Sequence, residues 1–79
     1  IMKQYSDELV DKILSYKSLN NKKKIDRLLE LDVIQYQNLG TDSTKSEKQG
    51  VKRNSKYIYK AIQKLDYEMG FRFLHYLDK

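Results

Sequence analysis

Three lysines at four-residue spacing, Lys56, Lys60 and Lys64, fall in one row on any helix that contains them. Arg53 stands at the upstream end of that row, with Lys52 and Asn54 beside it, Gln63 alongside, and Tyr57 and Tyr59 at its flanks. The chemistry available to such a face is phosphate neutralisation. Each cation that meets a phosphate releases condensed counterions, and amide or guanidinium groups can read base edges. Tyrosines offer surfaces on which exposed bases stack. A lysine every four residues is also the ordinary outer face of an amphipathic helix. What favours nucleic acid over that plainer reading is segregation. Residues 45–64 hold seven basic side chains and one acid, residues 1–44 are balanced at seven of each, and residues 65–79 hold two basic and three acidic. The net charge of +5 thus belongs to one stretch of the chain. A second basic group, Lys22, Lys23, Lys24 and Arg27, is weaker evidence, because Asp26 and Glu30 share its turns and can pair with it.

Other chemistries lack their residues. His75 is the only histidine and there is no cysteine. A Ser-His-Asp relay must therefore use that ring, and thiol nucleophiles, zinc-thiolate sites and three-histidine sites are closed. The glycines stand isolated at positions 40, 50 and 70, which form no phosphate-cradling loop. Tyrosine nucleophiles that cleave DNA rely on clusters of Arg, His or metal that three arginines and one histidine scarcely supply. Thr41, Ser43, Thr44 and Ser46 are phosphate acceptors in principle and read more simply as solubilising polarity. The segment Gly70-Phe71-Arg72-Phe73-Leu74-His75-Tyr76 shares its glycine and aromatic positions with the RNA-contacting strand of RNA-recognition domains. That strand needs a further helix and strand after it, and only three residues follow, so Phe71, Phe73, Tyr76 and Leu77 are assigned to a core. The expectation is a protein that is not an enzyme, with no catalytic residue, cofactor or metal.

The elements that must carry these residues follow from periodicity and punctuation. A helix over about 6–17 opens on Ser6 as cap, with Asp7 and Glu8 at the positive end of the dipole and Tyr5 set to pack on Val10. Its apolar positions are Leu9, Val10, Ile13 and Leu14. A short turn then sends a second helix, about 21–39, back along the first. Ile25, Leu28, Leu29, Val33, Tyr36 and Leu39 form its stripe, and Gly40 supplies the stop. Asp32 lies inside that stripe and is read as a carboxylate paired with a Lys, Arg or Tyr at the core margin. Leu31 and Ile34 lie opposite the stripe. They are either scattered surface apolars, or an interface with a second copy or a protein partner, or residues covered by the C-terminal segment. Positions 40–52 hold one apolar residue, Val51, and read as a long polar loop. A third helix, about 54–66, buries Ile58, Ala61, Ile62 and Leu65, with Met69 continuing the stripe. A fourth, about 67–77, is preferred to a strand because a lone strand leaves its backbone groups unpaired.

Size bounds the rest. A chain of 79 residues that is 34% charged and 39% hydrophobic makes one domain with a small core, burying only about 60% of its unfolded surface. Thirteen lysines against three arginines, many Tyr, Ile and Asn, and no proline or tryptophan suit an AT-rich coding sequence, hence a low-GC bacterium, its phages or plasmids. Met2 behind a single Ile1 reads as the natural start of a nearly whole chain. Apolar runs reach two or three residues, far short of the roughly 18 that span a bilayer, so integral membrane association is not expected. A small domain without disulfides points to the cytoplasm. The reading is a small all-α bundle of three or four helices that binds nucleic acid, DNA in preference to RNA, in a regulatory role. The binding residues are Lys52, Arg53, Asn54, Lys56, Tyr59, Lys60, Gln63 and Lys64. The rival is a protein-interaction module, a phage- or plasmid-type factor that modulates a host protein through Leu31, Ile34 and exposed tyrosines, with a homodimer as a further use of the same pair.

Overall fold

A computed structural model describes residues 7–37, 39 and 44–77. These form four helices and no strand: α1 (Asp7–Ser15), α2 (Asn21–Gln37), α3 (Lys45–Leu65) and α4 (Tyr67–Leu77). The capping roles read for Ser6 and Gly40 and the packing role read for Tyr5 lie outside the described residues. The all-α architecture stands, and one part of it needs correction. The polar stretch is not a loop over 40–52, because α3 already begins at Lys45.

The cause is a capping box. Thr44 Oγ1 accepts the Glu47 N–H at 3.1 Å, and Glu47 Oε1 accepts the Thr44 N–H at 2.9 Å, so two orphan amides of the first turn are satisfied reciprocally. Lys, Glu and Gln are good helix formers that need no buried face. Residues 45–49 are all exposed. The first turns of α3 therefore stand clear of the bundle, held by local bonds rather than by packing.

Helix ends are tied to one another across the fold. Asn20 caps α2, its Oδ1 accepting the Lys23 N–H at 2.9 Å. Asn21 Nδ2 donates to the Leu65 carbonyl at 3.2 Å, and Lys24 Nζ donates to the Leu14 carbonyl at 2.8 Å. The start of α2 thus satisfies carbonyls at the ends of both α3 and α1. Asp66 alone makes the corner between α3 and α4. Its backbone is extended, its N–H donates to the Ile62 carbonyl at 2.7 Å, and its Oδ1 accepts the Met69 N–H at 3.2 Å. Gly70 then lets α4 fold back. A Cβ there would lie 2.5 Å from the Gln63 backbone nitrogen, so no other residue fits without moving one helix off the other.

The core is Val10, Ile25, Leu28, Leu31, Ile58, Tyr59, Ala61 and Ile62. It lies between α1, α2 and α3, while α4 packs on α3 and on no other helix. The molecule is flat, 39 × 31 × 15 Å. Flatness explains three further departures from the periodicity. The buried side of α2 is rotated by about 60°, at 100° per residue, from the expected stripe. Leu31 is buried at 8% exposure, while Val33 and Tyr36 are exposed at 53% and 45%. Nothing covers the Val33 edge because α4 sits across α3 instead. Leu31 accordingly belongs to the core and not to an outward face, whereas Ile34 stays exposed. On α4 only one side is covered, so Phe71 and Tyr76 stand in solvent rather than in the core, and Met69 is exposed beyond the α3 stripe.

Candidate nucleic-acid interface

The roll of α3 is set by a polar network buried against α2. Asp32, inside the interface, accepts the Ser55 hydroxyl at 2.5 Å and the Tyr59 hydroxyl at 2.6 Å. One helical turn along, Asn54 Nδ2 donates to Gln35 Oε1 at 2.8 Å. The Tyr36 hydroxyl stands 3.4 Å from Ser55 Oγ. Asp32 is thus paired with a tyrosine, as its place at the core margin suggests, with Ser55 as a second donor. Ser55 and Asn54 must both face α2 for these bonds to form, and Ile58 and Ile62 follow them into the core. Lys52, Arg53, Lys56, Lys60 and Lys64 are left together on the outer side, all exposed.

Three of the expected binding residues are engaged, wholly or in part, inside the fold. Tyr59 is 9% exposed, with its ring stacked on Phe73 at 5.1 Å and its hydroxyl on Asp32. Burial, then the bond to Asp32, raises its pKa far above the ordinary value of 10.0, so it is a neutral core donor. Asn54 spends its amide donor on Gln35. Gln63 is half-buried beneath α4 at the Gly70 crossing. Of the guanidinium and amide groups expected to read base edges, Arg53, Asn54 and Gln63, only Arg53 is fully exposed.

The basic face has an acidic wall that periodicity within α3 could not show. Asp7, Arg53, Asn54, Lys56, Tyr57 and Lys60 line a surface hollow of about 260 Å³ between α1 and α3. Asp11, Leu14, Tyr57, Lys60, Ala61 and Lys64 line the next one along. Tyr57 Oη donates to Asp11 Oδ1 at 2.8 Å, which raises the pKa of that exposed hydroxyl. Asp7 and Asp11 are four residues apart on the flank of the Val10–Leu14 stripe. Their spacing was the available signal that whatever α1 packs on would have carboxylates beside it.

A second feature lies on α4. Tyr67, Phe71 and His75 repeat every four residues and form a ladder of near-parallel rings, with centroids 6.3 and 6.5 Å apart and interplanar angles of 20° and 14°. Tyr67 is 70% exposed and Phe71 54%. On α2, Asp26, Leu29, Glu30, Val33 and Ile34 line a shallow apolar hollow with acidic residues beside it. Among the described residues no group of three or more His, Cys, Asp or Glu is placed to hold a metal, and no helix is long and apolar enough to cross a membrane. No family model, no curated protein and no solved structure matches this chain.

Proposed function

We propose that this protein is a non-catalytic nucleic-acid-binding protein that grips backbone phosphates with Lys52, Arg53, Lys56, Lys60 and Lys64. The observation that carries the reading is the convergence of five exposed cations on the outer side of α3. Lysines on this face supply affinity and little discrimination, since phosphate contacts position a protein and base contacts specify its site. With Asn54 and Gln63 engaged inside the fold, only modest sequence preference is expected, centred on Arg53. A regulatory role on DNA in the cytoplasm is the setting that composition and the lack of cysteine favour.

The test is a polarization titration with duplex DNA over a range of salt. Five phosphate contacts give a log–log slope of roughly −4 to −5, at about −0.9 per contact. Lys56→Glu with Lys60→Glu should abolish binding and leave helicity intact, because both side chains are exposed. Lys22→Glu with Lys23→Glu should matter less. A wild-type protein that ignores both duplex and single strands at low salt refutes the reading.

The α2 hollow supports a second reading, a protein-interaction module of the phage or plasmid kind or a self-associating protein, with Val33 and Ile34 exposed beside Asp26 and Glu30. Sedimentation of Val33→Glu with Ile34→Glu decides whether that hollow is used between copies. An unchanged oligomeric state excludes self-association through it.

A further inference from the structure

The aromatic ladder of α4 and the basic face of α3 belong to one surface. Around α3 the order of residues, at 100° each, runs from Ile62 and Ser55 on the α2 side, through Tyr59 and Gln63, to Lys56 and Lys60. α4 lies on the Tyr59–Gln63 edge, as the Tyr59–Phe73 stack and the Gly70–Gln63 crossing show. It therefore has α2 on one side and the lysines on the other. Met69 marks the first side, since it lines a hollow with Asn21, Lys22, Ile25 and Leu29 of α2. Phe71 lies two residues further on, about 200° around the helix, and Tyr67 is equally displaced in the other direction. The helical period therefore places the ladder on the side of α4 away from α2, the side toward Lys56 and Lys60. Because α4 runs back along α3, with Gly70 at Gln63 and Phe73 at Tyr59, the rings and the cations track one another along the two helices.

We infer that this composite surface takes single-stranded nucleic acid, with phosphates on Lys56 and Lys60 and unstacked bases on the exposed rings of Tyr67 and Phe71. Exposed aromatics alone would suit a protein partner as well. What selects a polyanion is the row of cations along the same edge, and what selects a single strand is the availability of base faces, which a duplex keeps stacked. Glu68 lies on the outer side of α4 and would oppose a phosphate there, but Arg72 holds it at 2.7 Å. The inference rests on the proposed phosphate-binding role of α3 and adds the class of ligand.

The experiment compares a thymidine homopolymer, a uridine homopolymer and a duplex of equal length, by polarization at one low salt concentration. The expected result is tighter binding of either homopolymer than of the duplex. Tyr67→Ala with Phe71→Ala should weaken the single-strand complexes by about tenfold or more for each ring that stacks and leave the duplex complex unchanged. Lys56→Glu with Lys60→Glu should abolish all three. The DNA and RNA homopolymers distinguish the source of the strand, and preference for either one over the duplex supports the inference. Should the aromatic variant lose helicity, ring-proton shifts of Tyr67 and Phe71 in the wild type on adding the homopolymer replace it: upfield movement shows stacking. Equal affinity for single strand and duplex, with ring protons unmoved, overturns the ladder's role and leaves the phosphate reading standing. Absence of binding to all three overturns both.

Discussion

Gly50 and Gly70 both lie inside helices with ordinary negative φ, yet they respond to the same substitution in opposite directions. A Cβ on Gly50 would meet nothing within 4 Å. Gly50→Ala therefore removes only backbone freedom from the unfolded chain and should stabilise the protein by about 0.5–1 kcal/mol. At Gly70 the same methyl would strike the backbone of Gln63, which cannot swing aside as a flexible side chain can. Gly70→Ala should cost about 1–3 kcal/mol or lift α4 from α3. A pair of denaturant melts checks both, with near-ultraviolet dichroism reporting the Tyr59–Phe73 stack. Equal effects of the two substitutions would mean that α4 does not pack as described. The sequence shows three isolated glycines and nothing that separates these two, because the distinction lies in what approaches from another helix.

At the scale of the element, α3 shows what local reading captures and where it stops. Its core side was legible in Ile58, Ala61 and Ile62, and its outer side in the lysine row, since both depend on the helical period alone. Its first nine residues, 45–53, were not, because a hydrophobic stripe signals only those helices that bury one. The signal that did exist was local: Thr44 three residues before Glu47, a capping pair inside a run that looks like solvent-facing polarity. Tyr59 failed for a different reason, as a tyrosine at the edge of an apolar stripe is drawn inward once Asp32 offers it an acceptor. Thr44→Ala should cost about 1 kcal/mol of capping, felt only in the exposed first turns. Amide exchange at Glu47 and Lys48 should speed up several-fold while the global melting midpoint barely moves. Acid should mimic the mutation. The Glu47 carboxyl is held below its ordinary 4.5 by the Thr44 N–H and then by the Thr44 hydroxyl. Its contribution is therefore complete above the unfolded value and is lost as pH falls through the lowered one. A Thr44→Ala protein whose early α3 amides exchange at the wild-type rate would disprove the cap.

For the whole molecule, the decisive property is a flat arrangement that keeps opposite charges on neighbouring walls. A bundle 15 Å thick leaves most of each helix at the surface, so the electrostatic field at the α3 face is set by α1 as much as by α3 itself. Asp7 and Asp11 stand across the groove from Arg53, Lys56, Lys60 and Lys64, and they compete with any phosphate that approaches those cations. This competition could not be read from charge segregation along the chain, which assigns residues 1–44 a net charge of zero and so hides where its acids lie. If the α3 face binds phosphates, Asp11→Asn should tighten the complex, by about two- to threefold at low salt and less as ionic strength rises and screens the pair. The amide can still accept the Tyr57 hydroxyl bond, so the packing of α1 on α3 should persist and the melting midpoint should hold. Glu30→Gln, on the far hollow of α2, removes the same charge from a different wall and serves as the control. A larger gain from Glu30→Gln than from Asp11→Asn would place the bound polyanion over α2, away from the lysine row.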